Sequence, residues 1–187
     1  MMCTFTFLKS NVKLKSHPYY VVHRFDRITG AGGGVIIVIH RRIKHHVLPS
    51  FNMKVFECLR IEVNTGLGKL TVVAAYLPFQ CTGDLKNFLK GDLQKLTRNR
   101  NKFLIIGDFN AKHRSWNNVQ SNFKGKILLN DSSVGYSVLS PNGPTRFSFA
   151  RNPSTIDLVL TDQAHICSDL VTHADFDSDH LPVTFSL

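Results

Sequence analysis

Two short polar clusters of the sequence adjoin or interrupt apolar stretches and carry side chains suited to phosphate chemistry. The first, GDFN at 107–110, follows the apolar run 103–106. Asp108 and Asn110 are two residues apart, so in extended backbone they face the same side and could hold a water and a phosphoryl oxygen together. Alone, this pair is better explained as an Asx-type turn that caps the backbone. The second is STIDLVL at 154–160, where Asp157 lies inside an apolar strand and needs a cation, a histidine or another donor.

A third cluster, DFDSDHLP at 175–182, sets three acids and a histidine before the last predicted strand. A histidine beside a carboxylate can be held in one tautomer and used as an acid–base or charge-stabilising group. Carboxylate oxygens in the same pocket suit Mg²⁺. A polar loop ended by Pro182 is the alternative. Because all three clusters adjoin or lie in predicted strands, together they favour a site.

The elements that must position these clusters are mostly strands. One helix is predicted, with Thr82 as its N-cap and an apolar face of Leu85, Phe88, Leu89, Leu93 and Leu96. A second, short helix is predicted at 122–130. The glycines at 30–34 precede a strand, which favours a tight turn over a phosphate loop. Many strands with few helices predict a β-rich α/β sandwich. The predicted strands are 35–39, 55–63, 70–76, 103–106, 146–149, 156–161, 169–173 and 182–185.

Composition limits the classes of protein. The 187 residues, 43% of them apolar, predict one domain, 1–187, with a real core. A net charge of +10 fits a polyanionic partner or a solvated basic surface, and charge alone leaves both open. Four scattered cysteines predict reduced thiols rather than a zinc site or disulfides. With neither a membrane-length apolar run nor a signal peptide, we expect a nuclear or cytoplasmic protein and no membrane partner.

In order along the chain, GDFNAKHRSW, STIDLVL and SDHLPV resemble the endonuclease/exonuclease/phosphatase superfamily. More narrowly, they resemble the apurinic-type endonuclease domain of jockey-like non-LTR retrotransposons. AAYLPF at 74–79 and RFDRITGAGGGVIIVI at 24–39 resemble that family's tyrosine-bearing strand end and its glycine turn. The likeness runs from about residue 8 to residue 185. It implies a sandwich of two packed mixed sheets flanked by helices.

The resemblance also implies roles for single residues. Asp108 would be the acid or base nearest the attacking water or the leaving oxygen, and Asn110 would orient the phosphate. His180 would bind the scissile phosphate, and Asp157 would fix its tautomer. Tyr76 would contact a phosphoryl oxygen.

Further residues would support this set. Asp179, with Asp108, would serve the site of a Mg²⁺ or Mn²⁺ ion. His113 and Trp116 match the retroelement form of the motif as supports below the site, and Ser178 is a supporting residue beside Asp179.

The chain departs from the family at its start. Aligning FTFL at 5–8 with the family's Glu-Thr-x-Leu puts Phe5 where a metal-binding glutamate belongs. Phenylalanine cannot ligate a metal, and nothing recommends Glu57 or Glu62 as substitutes. We therefore expect an N-terminally truncated domain that lacks the family's first strand or strands and exposes a sheet edge.

Three functions follow from these observations. The first is a metal-dependent DNA endonuclease domain that nicks its target, with DNA as partner and a reverse transcriptase following it in a parent polyprotein. The second is a catalytically dead DNA-binding remnant. The third is a phosphatase or phosphodiesterase that acts on a small molecule or lipid. The His113–Trp116 pair and the basic charge favour nucleic acid over lipid.

Overall fold

The structure is a computed structural model that describes residues 2–5, 17–27, 33–66, 68–79, 84–98, 102–132, 135–148, 151–174 and 178–187. These residues form a chain of strands with few helices. The strands are β1 (Met2–Phe5), β2 (Tyr20–Asp26), β3 (Gly34–His40), β4 (His45–Val47), β5 (Glu57–Thr65), β6 (Gly68–Tyr76), β7 (Lys102–Asp108), β8 (Ser137–Leu139), β9 (Arg146–Ser148), β10 (Arg151–Ser154), β11 (Asp157–Thr161), β12 (Val171–Thr172) and β13 (Val183–Thr184). The helices are α1 (Leu85–Thr97) and α2 (Phe123–Ser132).

Contacts divide the chain into two compact units, residues 1–107 and 108–187. In the first unit, β3 pairs antiparallel with β1 on one side and with β2 on the other. Strands β4, β5 and β6 form an antiparallel sheet, and β3 packs on β5 and β6. Continuous apolar runs in β3 and β6 explain this packing, because successive side chains of both strands are buried. The fully buried residues of the unit include Ile37, Ile39, Ile61 and Val72.

Helix α1 buries Leu89, Leu93 and Leu96 together with a charged residue, Asp92. Asp92 is 0% exposed. One of its oxygens, Oδ2, accepts hydrogen bonds from the backbone nitrogens of Lys54, Val55 and Phe56 at 2.8, 2.8 and 3.3 Å. The carboxylate therefore ties the helix to the turn before β5.

In the second unit, β11 pairs with β8, β9 with β10, and β12 with β13, all antiparallel. Helix α2 precedes β8, and the Tyr136 hydroxyl donates to the Leu128 carbonyl at 2.9 Å. The apolar face of β11, Leu158 and Leu160, is fully or almost fully buried.

The predicted class, a β-rich α/β protein with packed sheets, is confirmed. Two details of α1 differ from prediction. The helix begins at Leu85 with Asp84 as N-cap, whose carboxylate accepts from Asn87 N at 3.3 Å, while Thr82 lies outside the described residues. Phe88, predicted on the buried face, is 36% exposed. Among helices within the described ranges, none combines the length and apolar character needed to cross a membrane.

Candidate functional site

Asp108 is the last residue of β7, and Asn110 holds its carboxylate with two hydrogen bonds. The Asn110 backbone nitrogen donates to Oδ1 at 2.8 Å, and its side-chain Nδ2 donates to Oδ2 at 3.2 Å. Asn110 adopts a left-handed φ of 44°, which asparagine tolerates better than most residues. Both side chains are buried. The sequence left two interpretations of Asp108 and Asn110, an Asx-type turn and a pair of polar side chains on one side of the chain. The structure combines both in a single turn.

Asp157 begins β11, and a buried hydroxyl fixes the backbone at that point. Thr145 Oγ1 accepts from the backbone nitrogens of Ile156 and Asp157 at 3.0 and 3.1 Å. The Thr145 carbonyl accepts from the Leu181 nitrogen at 2.7 Å. One fully buried threonine therefore ties the start of β11 to the segment that carries His180.

His180 and Asp157 form a hydrogen-bonded ion pair. The distance from His180 Nδ1 to Asp157 Oδ2 is 3.1 Å, and both side chains are partly buried. Because an ionised carboxylate only accepts, this bond places a proton on Nδ1 and fixes the tautomer of the ring. The partner that Asp157 needed in sequence is thus the histidine of the third cluster.

The electrostatics of this cluster suit proton transfer near neutral pH. Burial, and then the charge of Asp157, raise the pKa of Asp108 to about 7, against the opposing effects of Asn110, His180 and Arg146. Burial alone would lower the pKa of His180, but the hydrogen bond and charge of Asp157 outweigh it, so the pKa is raised. The charges of Asp108 and Asp179 add to that effect. Asp108 can therefore exchange a proton near neutral pH, and the positive form of His180 is stabilised relative to that of a free imidazole.

Arg146 adds a second cation to the cluster. It faces His180 in an antiparallel β-bridge, and its Nε lies 3.4 Å from Asp179 Oδ2. That Nε is buried and has no hydrogen-bond partner among the described residues. Ser178 Oγ accepts from the His180 backbone nitrogen at 3.2 Å, so it shapes the loop that carries the histidine.

The carboxylates of the cluster are not arranged as a metal-binding site. Both oxygens of Asp108 are held by Asn110, Asp157 is held by His180, and Asp179 pairs with Arg146. In the described part of the chain, no group of three or more His, Cys, Asp or Glu side chains is arranged to hold a metal ion. These side chains, as they are paired here, do not fit the expected Mg²⁺ or Mn²⁺ ion. That Asp108 and Asp179 bind such an ion stays a prediction.

His113 and Trp116 support the loop after Asn110. Trp116 is 2% exposed, and its Nε1 donates to the Ala111 carbonyl at 3.0 Å. The His113 ring lies 5.1 Å from the Trp116 ring, and its Nδ1 accepts from Ser115 N at 3.1 Å. Both residues thus act on the backbone of this loop.

Tyr76 lies in the first unit, where it ends β6 opposite Glu57 of β5. The Arg27 guanidinium lies 5.8 Å from the Tyr76 ring centroid and donates from Nε to Glu57 Oε1 at 2.6 Å. Glu57 Oε2 is buried without a hydrogen-bond partner among the described residues. A cation therefore accompanies the residue that the resemblance assigns to a phosphoryl oxygen.

Several supporting residues were missed in the sequence. No local sequence pattern identifies them as supporting residues, because their contacts are with residues distant along the chain. They are Thr145, Arg146, Asn118 and Asn122. Asn118 donates from Nδ2 to the Thr155 carbonyl at 2.8 Å and accepts from the Thr155 nitrogen at 3.1 Å. Asn122 Nδ2 donates to the Asn110 carbonyl at 2.8 Å.

Comparisons with known proteins show the family of the chain. The sequence profile of a family described as endonuclease-reverse transcriptase matches residues 70–184. The RNA-directed DNA polymerase from mobile element jockey of Drosophila melanogaster is 29% identical over 193 residues, covering 98% of this chain and 20% of that protein. The probable RNA-directed DNA polymerase from transposon BS of the same organism is 27% identical, covering 94% of this chain and 19% of that protein.

A solved structure shares the fold. The endonuclease domain of TRAS1, a telomere-specific non-LTR retrotransposon, superposes with a TM-score of 0.71 at 17% identity, over 89% of this chain and 78% of that one. The fold is thus that of the endonuclease/exonuclease/phosphatase superfamily, as the motifs predicted. More narrowly, the chain belongs to the endonuclease-reverse transcriptase family, whose profile covers more than half of it. It spans about a fifth of the length of the curated relatives it matches.

Proposed function

We propose that this chain is a DNA-nicking endonuclease domain of non-LTR retrotransposon origin. The observation that carries the proposal is the buried Asp108, whose pKa is raised to about 7. Its carboxylate interacts with the charges of the Asp157–His180 pair and of Arg146. A general base works best when its pKa is close to the working pH. Phosphodiester hydrolysis also needs positive groups where charge develops on the phosphate.

Each side chain has a distinct task in this proposal. Ionised Asp108 accepts the proton of the attacking water, while Asn110 holds the carboxylate in place. As the water oxygen bonds to phosphorus, the bond from phosphorus to the leaving sugar oxygen breaks, and that oxygen takes a proton from the solvent. His180, kept positive by Asp157, and Arg146 stabilise the charge that grows on the phosphate oxygens. The jockey relative, named as an RNA-directed DNA polymerase, supports a parent protein in which this domain serves a reverse transcriptase.

A plasmid nicking assay tests the proposal. Purified wild-type protein is incubated with supercoiled DNA in Mg²⁺, in Mn²⁺ and in EDTA. Asp108→Asn keeps the size of the side chain but removes the base, so we expect nicking to fall by about a hundredfold or more. Asp169→Asn, which changes an exposed acid outside the cluster, is the matched control and should nick like wild type. Equal nicking by Asp108→Asn and wild type would contradict the proposal.

A second candidate, DNA binding without cleavage, is favoured by the carboxylates that do not converge on a metal position in the described residues. It predicts retarded migration of DNA in a gel with no nicked product under any of the three ionic conditions. Asp108→Asn would then bind as wild type does. Nicking above the level of the Asp108→Asn variant would exclude it.

A further inference from the structure

Four aromatic rings meet where β2 begins and β3 ends, and we call them the Tyr/His cluster: His17, Tyr19, Tyr20 and His40. The His17 and Tyr20 ring centroids are 5.1 Å apart, and those of Tyr20 and His40 are 5.2 Å apart, both edge-on. Tyr19 stacks on His40 at 6.4 Å, with planes only 6° from parallel. The rings therefore form one contiguous surface.

Backbone hydrogen bonds hold the Tyr/His cluster in place. Tyr20 lies opposite His40 in the β2–β3 pairing, and Arg41 N donates to the Tyr19 carbonyl at 2.9 Å. His40 Nδ1 accepts from Arg42 N at 3.2 Å. A neutral His40 must then carry its proton on Nε2, which makes that atom a donor. Because these bonds restrain the backbone of the cluster and the ring of His40, part of the surface that a ligand meets is ordered in advance.

The cluster is exposed although its rings are large. Tyr19 is 63% and Tyr20 is 37% exposed, and the neighbouring Arg41 and Arg42 are also exposed. Exposed aromatic faces next to arginines are the combination on which nucleic-acid bases stack while phosphates meet cations.

Charge around the cluster is one-sided. The first 56 residues contain nine lysines and arginines and a single acid, Asp26. Arg24 already engages that acid, with Nη2 2.6 Å from Asp26 Oδ1. No other acid of residues 1–56 can offset Arg41 and Arg42, so the charge of this segment favours a polyanionic ligand.

The cluster lies apart from the residues assigned to phosphate chemistry in the same unit. Strand β2 begins at Tyr20 and ends at Asp26, a length of about 20 Å at the usual rise per residue. Arg27, which contacts Tyr76, follows the far end of that strand. A ligand on the Tyr/His cluster would thus be additional to one at Tyr76.

We propose that the Tyr/His cluster, with Arg41 and Arg42, is a second nucleic-acid site that binds single strands. Unpaired bases stack on Tyr19 and Tyr20, and backbone phosphates contact the two guanidinium groups. Single strands are favoured because a duplex keeps its base faces stacked inside, away from the protein. This site does not depend on cleavage at Asp108.

Fluorescence anisotropy with labelled oligothymidylate and oligouridylate, in EDTA, tests the proposal on the full chain. We expect the double variant Tyr19→Ala/Tyr20→Ala to bind about tenfold more weakly or worse, because stacking is lost. Tyr19→Phe/Tyr20→Phe keeps the ring faces and should stay within about twofold of wild type. Phe123→Ala removes an exposed ring outside the cluster and should bind as wild type.

Three results would overturn the proposal. The first is unchanged affinity in a folded Tyr19→Ala/Tyr20→Ala variant, with folding checked by circular dichroism. The second is an equal loss of affinity for duplex DNA, which would mean that bases are not being stacked. The third is competition by inorganic polyphosphate that is as strong as competition by unlabelled oligomers. Charge alone would then explain the binding, without stacking of bases. Nicking by the double variant separates this outcome from failure of the proposed function, since Asp108 is untouched.

Discussion

At the scale of single residues, Asp157 controls two ionisations at once. Its charge raises the pKa of Asp108, and its hydrogen bond raises the pKa of His180. Removing that charge should lower both pKa values, although burial will keep Asp108 above its ordinary range. The two groups are close enough to titrate as a pair, so rate profiles report values of the cluster.

We therefore expect Asp157→Asn to shift the pH profile of nicking. The rising limb, where Asp108 loses its proton, and the falling limb, where His180 loses its own, should both move to lower pH. The measurement is the nicking rate at low DNA concentration across pH 5 to 9. Asp169→Asn is the control and should leave both limbs unmoved. If Asp157→Asn also left both limbs at their wild-type pH, coupling through Asp157 would be contradicted.

Asp108 should also cost stability at high pH. Its pKa rises from an ordinary 3.8 to about 7 on folding, so ionising it in the folded state is unfavourable. This destabilisation is absent below about pH 4, grows as pH rises and is complete above about pH 7. Asp108→Asn should therefore raise the free energy of unfolding at pH 8, by a few kcal/mol at most, at about 1.4 kcal/mol per pKa unit. Urea denaturation at pH 8 and pH 4 measures it, and an equal effect at both would contradict the shift.

At the scale of elements, α2 approaches the loop after Asn110 so closely that one position has room only for glycine. A Cβ at Gly125 would overlap the Lys112 carbonyl. Gly125→Ala should thus lower the free energy of unfolding by about 1–3 kcal/mol. Gly91→Ala in α1, where a Cβ meets nothing within 4 Å, is the matched control and should stabilise by up to about 1 kcal/mol. Chemical denaturation of both variants decides, and a neutral Gly125→Ala would mean that the helix can shift.

The elements also show what the sequence could reveal. The β5–β6 hairpin was predictable, because alternation around Ile61 and a glycine-bearing turn are local signals. Strand β2 was missed, since its residues are only partly buried and its polar His23 finds its partner, His45, on another strand, with 2.8 Å between the two Nε2 atoms. In the site, charged residues beside apolar runs identified Asp157 and His180. Thr145, whose hydroxyl and carbonyl join their segments, could not be recognised in the sequence, because its partners lie more than ten residues away.

At the scale of the whole molecule, positive charge is concentrated at one end of the sequence. Residues 1–56 hold nine of the 23 lysines and arginines but one of the 13 acids. Arithmetic assigns +8 of the net +10 to this segment. Repulsion among these groups opposes compaction and is weakened by salt.

Raising sodium chloride from about 20 to about 200 mM should therefore raise the Tm, because the screening length shrinks over that range. Arg41→Gln, which removes an exposed charge, should melt higher than wild type in low salt and at the same temperature in high salt. Differential scanning calorimetry provides the comparison. A Tm that falls with added salt would show that attractive ion pairs outweigh the repulsion.

The buried Asp92 has a consequence for how this chain can change over generations. Its oxygen is bound by three successive amide nitrogens, and every residue except proline supplies that group. The side chains at positions 54–56 are thus free to drift as far as their other contacts permit. The aspartate has less freedom, because its other oxygen, Oδ1, also accepts from Lys95 Nζ at 3.1 Å, and asparagine has the same reach but only one acceptor oxygen. The interaction therefore restricts which residue can stand at position 92, but it hardly restricts which residues can stand at positions 54–56.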